Sequence, residues 1–469
     1  MRIGVFHNAP YYLRYYVPTL EVLLERGHRV LLTRPDLYDE VRVPRSMRTN
    51  DHVTTALYPN SRADGLDRSL RIMRSTRDFG RYAAPPLRMA EANRRRAYER
   101  LLRSVVGKAR SLAYDGPVVA PDLDEAEHAM LDRLFGGLEA LIPPDEGLRS
   151  FIRDHRLDVV VCVSRVNFAA RQTEVVKAAK SLGVPVGVVV YSWDNLSSKG
   201  LLHEHPDRLF VWNDVQAHEA ETLHGIDPGS IAVTGAVRFD PVFESAPSAD
   251  RAALLEELSL DPARRTLLWL GSSAFVAPRE PEIVGDWIAA LHASGDELIS
   301  NANVIVRPHP GTTDEPVWTE WSPPDERTVA PPPVVRRRAQ DLIDQLTASD
   351  AVVGLNTSAE IEAAIVDRFV LTVKVGGLAP GQEGSVHFDY LLDGEGGFVE
   401  TARSFEEHLV QLGRALRDDP HRDARQRFLE SFVRPHGLET PAASVLADSI
   451  ETLAQGRRRR LGVRLRSSG

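Results

Sequence analysis

At 469 residues, 43% hydrophobic and 26% charged, the chain has room for two globular cores of roughly 200 residues each, and its composition excludes a fibre or a wholly disordered polymer. The 57 lysines and arginines against 66 aspartates and glutamates leave a net charge of -9, which excludes a general nucleic-acid binder. The single cysteine, Cys162, excludes a disulfide framework and a cysteine-rich metal site, and its place in the apolar run DVVVCVS predicts a buried structural thiol.

The opening segment MRIGVFHNAPYYL sets Gly4, His7 and Asn8 where a secretory signal would need an unbroken apolar core. No stretch approaches the roughly eighteen apolar residues of a membrane span, so a cytoplasmic protein is expected. RIGVFH reads as a strand, Tyr12 to Glu25 as a helix, and RVLLTR after Gly27 and His28 as a second strand. This β-α-β opening implies a parallel sheet with right-handed crossovers.

From Asn60 to Arg110 the pattern turns arginine-rich and helical, as in RMAEANRRRAYERLLRSVVGKAR, and a basic helical insertion over about 60–150 is expected on the first sheet. Strands resume at 158–164, 184–193, 208–213 and 230–237, completing an N-terminal Rossmann-like domain over 1–240. PVFESAPSAD reads as a linker, after which the alternation restarts at 267–273, 303–310, 351–356 and 369–375. That predicts a second Rossmann-like domain over 241–440, with Pro316 to Pro333 as a surface loop, helices from Phe405 to Gln455, and a C-terminal helix and basic tail over 441–469.

In paired α/β domains ligands gather where parallel strands end, and the residues just after these strands are polar. Ser272 and Ser273 follow the strand at 267, Arg307 and His309 in RPHP follow the strand at 303, and Asn356, Thr357 and Ser358 follow the strand at 351. Thr357 and Ser358 are expected to cap a helix whose N–H groups suit a phosphate. Glu360 and Glu362, two apart, cannot share a helical face, so one is expected to look toward the ligand and the other away. RPHP offers a permanent cation and an imidazole on a turn stiffened by two prolines, which suits a diphosphate whose leaving charge must be stabilised. In the first domain YSWDNLSSKG gathers Trp193, Asp194, Asn195, Ser198 and Lys199 after a strand, either as an Asx-type turn with a buried tryptophan or as an acceptor-side site. His7, at the end of the first strand, is a candidate base or a structural polar residue.

The blocks SWDNLSSKG, VWND, TGAVRFD, RPHP, NTSAEIEAA and GQEGSVHFDYLL make the chain resemble the GT-B glycosyltransferase superfamily, in particular bacterial surface-polysaccharide enzymes and the CDP-glycerol glycerophosphotransferase-like group. The resemblance implies a GT-B-like α/β fold of two Rossmann-like domains facing each other across a cleft, with the acceptor on the first and a nucleotide-activated donor on the second. It also implies that His309, Thr357 and Ser358 contact the donor phosphates and that Glu362 holds the donor ribose. UDP-sugar 2-epimerases share the fold and a Glu-Ala step, but Thr357 and Ser358 replace their Gly-Gly phosphate turn. The two glutamates seven residues apart of retaining transferases are not evident, so the stereochemistry stays open.

The expected function is transfer of a sugar from a nucleotide-activated donor to a polysaccharide, lipid-linked or small-molecule acceptor in cell-envelope biosynthesis, without a metal or further cofactor. His7, Asp194 and His309 are the catalytic candidates, Ser272, Ser273, Arg307, His309, Asn356, Thr357, Ser358 and Glu362 the donor-binding ones, and Trp193, Asn195 and Lys199 the acceptor-side ones. The alternatives are a CDP-polyol phosphotransferase, an epimerase-like enzyme and a non-catalytic nucleotide-sugar-binding protein. The tail RRRRLGVRLR and the crowd Arg94, Arg95, Arg96, Arg100 and Arg103 point either to peripheral contact with an anionic membrane or to solvated basic surface.

Overall fold

A computed structural model describes residues 1–7, 13–37, 40–85, 87–108, 111, 116–118, 122–163, 168, 170–312, 315–331, 338–382 and 386–466; Asn8, Tyr12, Pro333 and the last three residues lie outside these. The chain divides into two compact units, Met1–Asp240 with Glu430–Gly469, and Pro241–Leu429. Residues 430–440, assigned from sequence to the second domain, therefore belong with the first.

The first unit holds a seven-stranded sheet: β1 (Arg2–Phe6), β2 (Arg29–Pro35), β3 (Val53–Tyr58), β4 (Val159–Cys162), β5 (Val186–Val189), β6 (Arg208–Val211) and β7 (Ile231–Val233). The spatial order is β3-β2-β1-β4-β5-β6-β7, and every pairing is parallel. The chain starts at the centre, moves outward to β3 and returns across β1 to β4, so the order reverses between β1 and β4. Helices cover both faces, which is why β1 and β4 to β6 read as unbroken apolar runs. Cys162 is fully buried, and burial pushes its thiol up to about 12, fitting the structural role expected of it.

The second unit repeats the plan with β8 (Thr266–Leu270), β9 (Asn303–Arg307), β10 (Thr328–Val329), β11 (Ala351–Gly354), β12 (Phe369–Val373) and β13 (Glu400–Ala402). Its order is β10-β9-β8-β11-β12-β13, again all parallel, with the reversal between β8 and β11. Trp269 of β8 packs on Trp287 of the Glu280–His292 helix, ring centroids 5.1 Å apart, and the Trp287 indole donates to His408 3.0 Å away. Burial lowers the His408 imidazole to about 4, so it stays neutral at pH 7 and accepts that bond.

Three strands escape the sequence reading, β3, β10 and β13. All lie at sheet edges, and β3 is mostly solvent-facing on both sides. An edge strand needs no continuous apolar run, so the signal that reveals central strands is missing. The segment from Pro316 holds a short helix, Pro316–Thr319, and β10 rather than a plain loop. The C-terminal helix runs Ala442–Arg466, through the basic segment, and buries Ala442, Ala443, Leu446, Ala447, Ile450 and Ala454 against the first unit.

The region expected as a basic insertion is the long crossover between β3 and β4, built on helices Asp67–Ala83, Glu91–Val106, Glu125–Ala140 and Glu146–Asp154. Several of its arginines are internal. Arg74 pairs with Glu139 at 2.6 Å and with Glu174, and Arg62 pairs with Glu174, all with side chains under 10% exposed. Burial alone would raise the Glu174 carboxyl, but the guanidiniums of Arg74 and Arg62 hold it below its usual range.

Candidate functional site

Because β8, β9 and β11 are adjacent and parallel, the loops that follow them emerge at one edge of the sheet. Two of the three flank the point where strand order reverses, where open α/β sheets leave a crevice for ligands. The structure thus brings Ser272, Ser273, Arg307, His309, Asn356, Thr357 and Ser358 to one edge of the second unit.

Gly271 is what allows the first two loops to touch. Its N–H donates to the Arg307 carbonyl at 2.8 Å, and a Cβ there would lie 2.6 Å from the His309 backbone nitrogen. A second close approach occurs at Gly381, in the GQEGSVHFDYLL block: a Cβ there would lie 2.4 Å from the Phe275 carbonyl oxygen. The Gln382 amide holds this turn to β12, donating to Thr372 Oγ1 at 3.0 Å and to the Val373 carbonyl at 3.1 Å.

His309 is half-buried, and its ring is oriented by its own turn. The Gly311 N–H points at Nδ1 from 3.0 Å, so Nδ1 accepts and Nε2 carries the proton. Burial lowers its pKa, favouring the neutral imidazole with Nε2–H as its donor. Arg307, the last residue of β9, donates from Nη1 to Gln345 Oε1 at 2.8 Å, which fixes its guanidinium against the Arg338–Ala348 helix.

The NTS loop departs from the expected capping. Ser358 is the N-cap of the seven-residue helix Ala359–Ile365 but makes no side-chain capping bond; Thr357 Oγ1 accepts from the Ala359 N–H at 3.4 Å instead. Of the two glutamates, Glu360 is the buried one and Glu362 remains partly exposed in the first turn. Asn356 sits at φ 147°, a conformation that side chains of L-residues rarely adopt, and backbone strain of about 1–3 kcal/mol of this kind is concentrated at functional loops. Its Nδ2 approaches the Gly381 carbonyl at 3.4 Å, tying the β11 and β12 loops together.

Two buried carboxyls hold this edge: Glu280, outside every motif, and Glu360, inside the NTSAEIEAA block. Glu280 accepts from the Ser272 N–H at 2.9 and 3.0 Å and from the Trp269 indole at 3.2 Å. Glu360 accepts from the Thr357 N–H at 3.0 Å and packs on Gly354, where a Cβ would come within 2.6 Å of Oε1. Burial pushes each carboxyl up to about 8. Both are first-turn helix glutamates, which in a sequence look like ordinary complements to the helix dipole.

In the first unit YSWDNLSSKG follows β5 and folds into a short helix, Asn195–Ser198, inside a buried loop. Trp193, Asn195 and Lys199 are buried. Asn195 Oδ1 accepts the Tyr191 and Ser192 N–H groups at 3.1 Å, bonding back to residues four and three before it rather than two ahead as the expected Asx-type turn would. Lys199 Nζ lies 2.6 Å from Asp194 Oδ2, which also accepts from Ser198 Oγ at 2.9 Å. Arg81, from the crossover, caps the far end by donating to the carbonyls of Leu196, Lys199 and Gly200, and the Tyr82 hydroxyl donates to that of Lys199 at 2.8 Å. Asn195 and Lys199 thus serve the loop itself, Trp193 is buried within it, and Asp194, 20% exposed, is the member nearest solvent. His7 directly follows β1 at the first unit's own reversal point and is fully buried, with its N–H donating to the Thr33 carbonyl at 3.2 Å.

Among the described residues no three His, Cys, Asp or Glu side chains are grouped to hold a metal, and no helix is long and apolar enough to cross a membrane. No protein-family model matches the sequence, and no curated protein matches it. Solved structures do resemble it. Arabidopsis thaliana UGT89C1, complexed with quercetin, aligns over 97% of this chain and 99% of its own at 11% identity and a TM-score of 0.50. A glycosyltransferase from Rickettsia africae covers 96% of this chain and 98% of its own at 10% identity and 0.49, and a Neisseria meningitidis UDP-GlcNAc 2-epimerase bound to UDP-GlcNAc covers 96% and 100% at 10% identity and 0.46. The shared feature is the fold: two parallel-sheet α/β domains of the GT-B class, as the resemblance implied.

Proposed function

We propose that the chain is a glycosyltransferase that moves a sugar from a nucleotide-activated donor, bound by the second unit, to a saccharide, lipid-linked or small-molecule acceptor. The observation that carries this reading is the convergence of three polar strand-end loops beside the reversal between β8 and β11. There Arg307 supplies fixed positive charge, the Nε2–H of His309 a neutral donor for the diphosphate leaving group, and Ser273, Thr357 and Ser358 hydroxyl donors. Glu362, partly exposed one turn along, is the residue proposed to accept from ribose hydroxyls. These donors stabilise leaving charge by hydrogen bonding and ion pairing, so the mechanism proposed uses no metal. The acceptor base is assigned to the first unit, with Asp194 ahead of His7 because it meets solvent. Cytoplasmic assembly of envelope polysaccharide is the proposed setting.

The test is a thermal-shift screen against UDP-, GDP-, CMP-, CDP- and dTDP-linked donors. A ligand at about 100 times its Kd stabilises the fold by about 2.7 kcal/mol, well above detection. Stabilisation by none of them would sink the reading. Product analysis then separates sugar transfer, which releases a nucleoside phosphate, from polyol-phosphate transfer, which makes a new phosphodiester.

A further inference from the structure

The loops that carry the proposed diphosphate contacts are held from behind, and in the same way. After β8, the Ser272 N–H is received by Glu280, the first residue of the next helix; after β11, the Thr357 N–H is received by Glu360, in the first turn of its own next helix. Each carboxyl is at most 1% exposed. The groups facing Glu280 are the Trp269 indole and the Ser272 backbone and hydroxyl, whose bonds oppose the rise that burial causes, and on its own helix the exposed Glu282 is paired with Arg279. Glu360 faces the Thr357 N–H and the bare Cα of Gly354, and its Oε1 has no hydrogen-bond partner among the described residues. Among those residues neither carboxyl has a cation paired with it, unlike Glu174 of the first unit.

Resting on the donor reading above, we propose that Glu280 and Glu360 are the positioning residues of this edge, and that it receives an anionic ligand with both side chains neutral. Each fixes the backbone of one loop and touches no ligand itself. A buried negative charge directly behind a loop would oppose a diphosphate in front of it, because the low-dielectric interior screens the repulsion poorly. The burial that pushes both carboxyls up to about 8 keeps them protonated at neutral pH, and a bound diphosphate favours the proton further. Affinity for the anion therefore falls as pH rises through about 8, where the two protons leave.

The experiment is titration of UDP into the full chain by calorimetry at pH 7.0 to 8.8, for the wild type, Glu280→Gln, Glu360→Gln and the double Gln variant. Amide exchange is followed in parallel for peptides covering 271–276 and 355–359, with Glu280→Ala and Glu360→Ala added. In the wild type UDP affinity should fall about tenfold across this range, equivalent to about 1.4 kcal/mol. The double Gln variant, a neutral near-isostere, should show a much flatter profile. Each Ala variant should exchange faster in its own loop, with the β8 and β12 peptides unchanged and rescue by Gln. A pH profile shared by the wild type and the double Gln variant would overturn the inference and leave the donor reading standing, as would unchanged exchange in both Ala variants. No UDP binding by the wild type at any pH would overturn the affinity claim for a uridine nucleotide, while the donor reading stands or falls with the five-nucleotide screen, and exchange would then decide the positioning role alone.

Discussion

Glutamates are buried in both units, and two pairs of them, Glu139 with Glu174 and Glu280 with Glu360, are accommodated in opposite ways. In the first unit Glu174 and Glu139 lie among arginines, and ion pairing keeps Glu174 charged despite burial. In the second, backbone N–H groups, an indole and the Ser272 hydroxyl face Glu280 and Glu360, with no cation paired to either among the described residues, and burial drives them toward the neutral acid. The first arrangement suits a scaffold that must hold shape around the SWDN loop. The second suits an edge that must hold its loops in place without presenting negative charge to an anion.

The largest expected effect comes from pH. Glu280 and Glu360 have folded pKa values near 8 against an ordinary 4.5, so the folded state binds more protons than the unfolded between those limits. Their stabilising contribution is complete below about pH 4.5 and is lost as pH rises to about 8, at up to about 1.4 kcal/mol per unit for each group. His408, lowered to about 4, acts oppositely, but only below pH 6.5. Urea unfolding between pH 6.5 and 8 should thus show the wild type losing stability while the double Gln variant stays nearly level. Parallel curves would place the two carboxyls in a different state from the one argued here.

Arg74→Met probes the other half of the comparison, since it strands Glu139 and Glu174 without their shared cation. Breaking a buried pair in this manner costs about 3–5 kcal/mol. Equilibrium denaturation measures it, and a loss below about 1 kcal/mol would reduce that network to the weight of a surface pair. On the proposed mechanism His309→Ala should reduce turnover by about 10²-fold or more, because it would remove the donor assigned to leaving-group charge. Wild-type turnover in that variant would take His309 out of the mechanism.

Gly271→Ala is expected to cost about 1–3 kcal/mol and to weaken UDP binding, as the added methyl forces the β8 and β9 loops apart. Unaltered calorimetric affinity would show that their close approach is incidental. Removal of residues 457–469 should leave the unfolding midpoint unchanged, because Ala454 is the last described buried residue of the C-terminal helix. Liposome co-sedimentation of the same truncation, with neutral and anionic lipid, tests whether the basic end contacts a membrane.

The repeated α/β plan was legible because central parallel strands are covered on both faces and so read as short apolar runs. So was the site edge, since polar residues directly after such runs have only one end of the sheet to occupy. The SWDN segment shows where this reasoning stops: it has the same polar density after a strand, yet Arg81 and Tyr82, more than a hundred residues upstream, turn it into a buried, internally bonded loop. Nothing local announces such a partner. The burial of Glu280 and Glu360 was illegible for a related reason, as it follows from packing against Trp269 and Gly354 rather than from their place in a helix.

Asp240 closes the first unit by accepting from Arg434 at 2.7 Å and from the Ala442 and Ala443 N–H groups at 3.1 and 2.7 Å. Its carboxylate leaves the ribosome long before those partners do, and the whole of Pro241–Leu429 is synthesised in between. The second unit thus emerges with all its strands while the first still lacks its last helix. Vectorial synthesis favours the reverse of chain order, with the inserted unit maturing first and the outer one sealing only when the C-terminal helix docks. A chain ending at Leu429 and released from the ribosome would carry a complete second unit and a first unit whose Tyr16, Leu20 and Phe210 cluster lacks its cover.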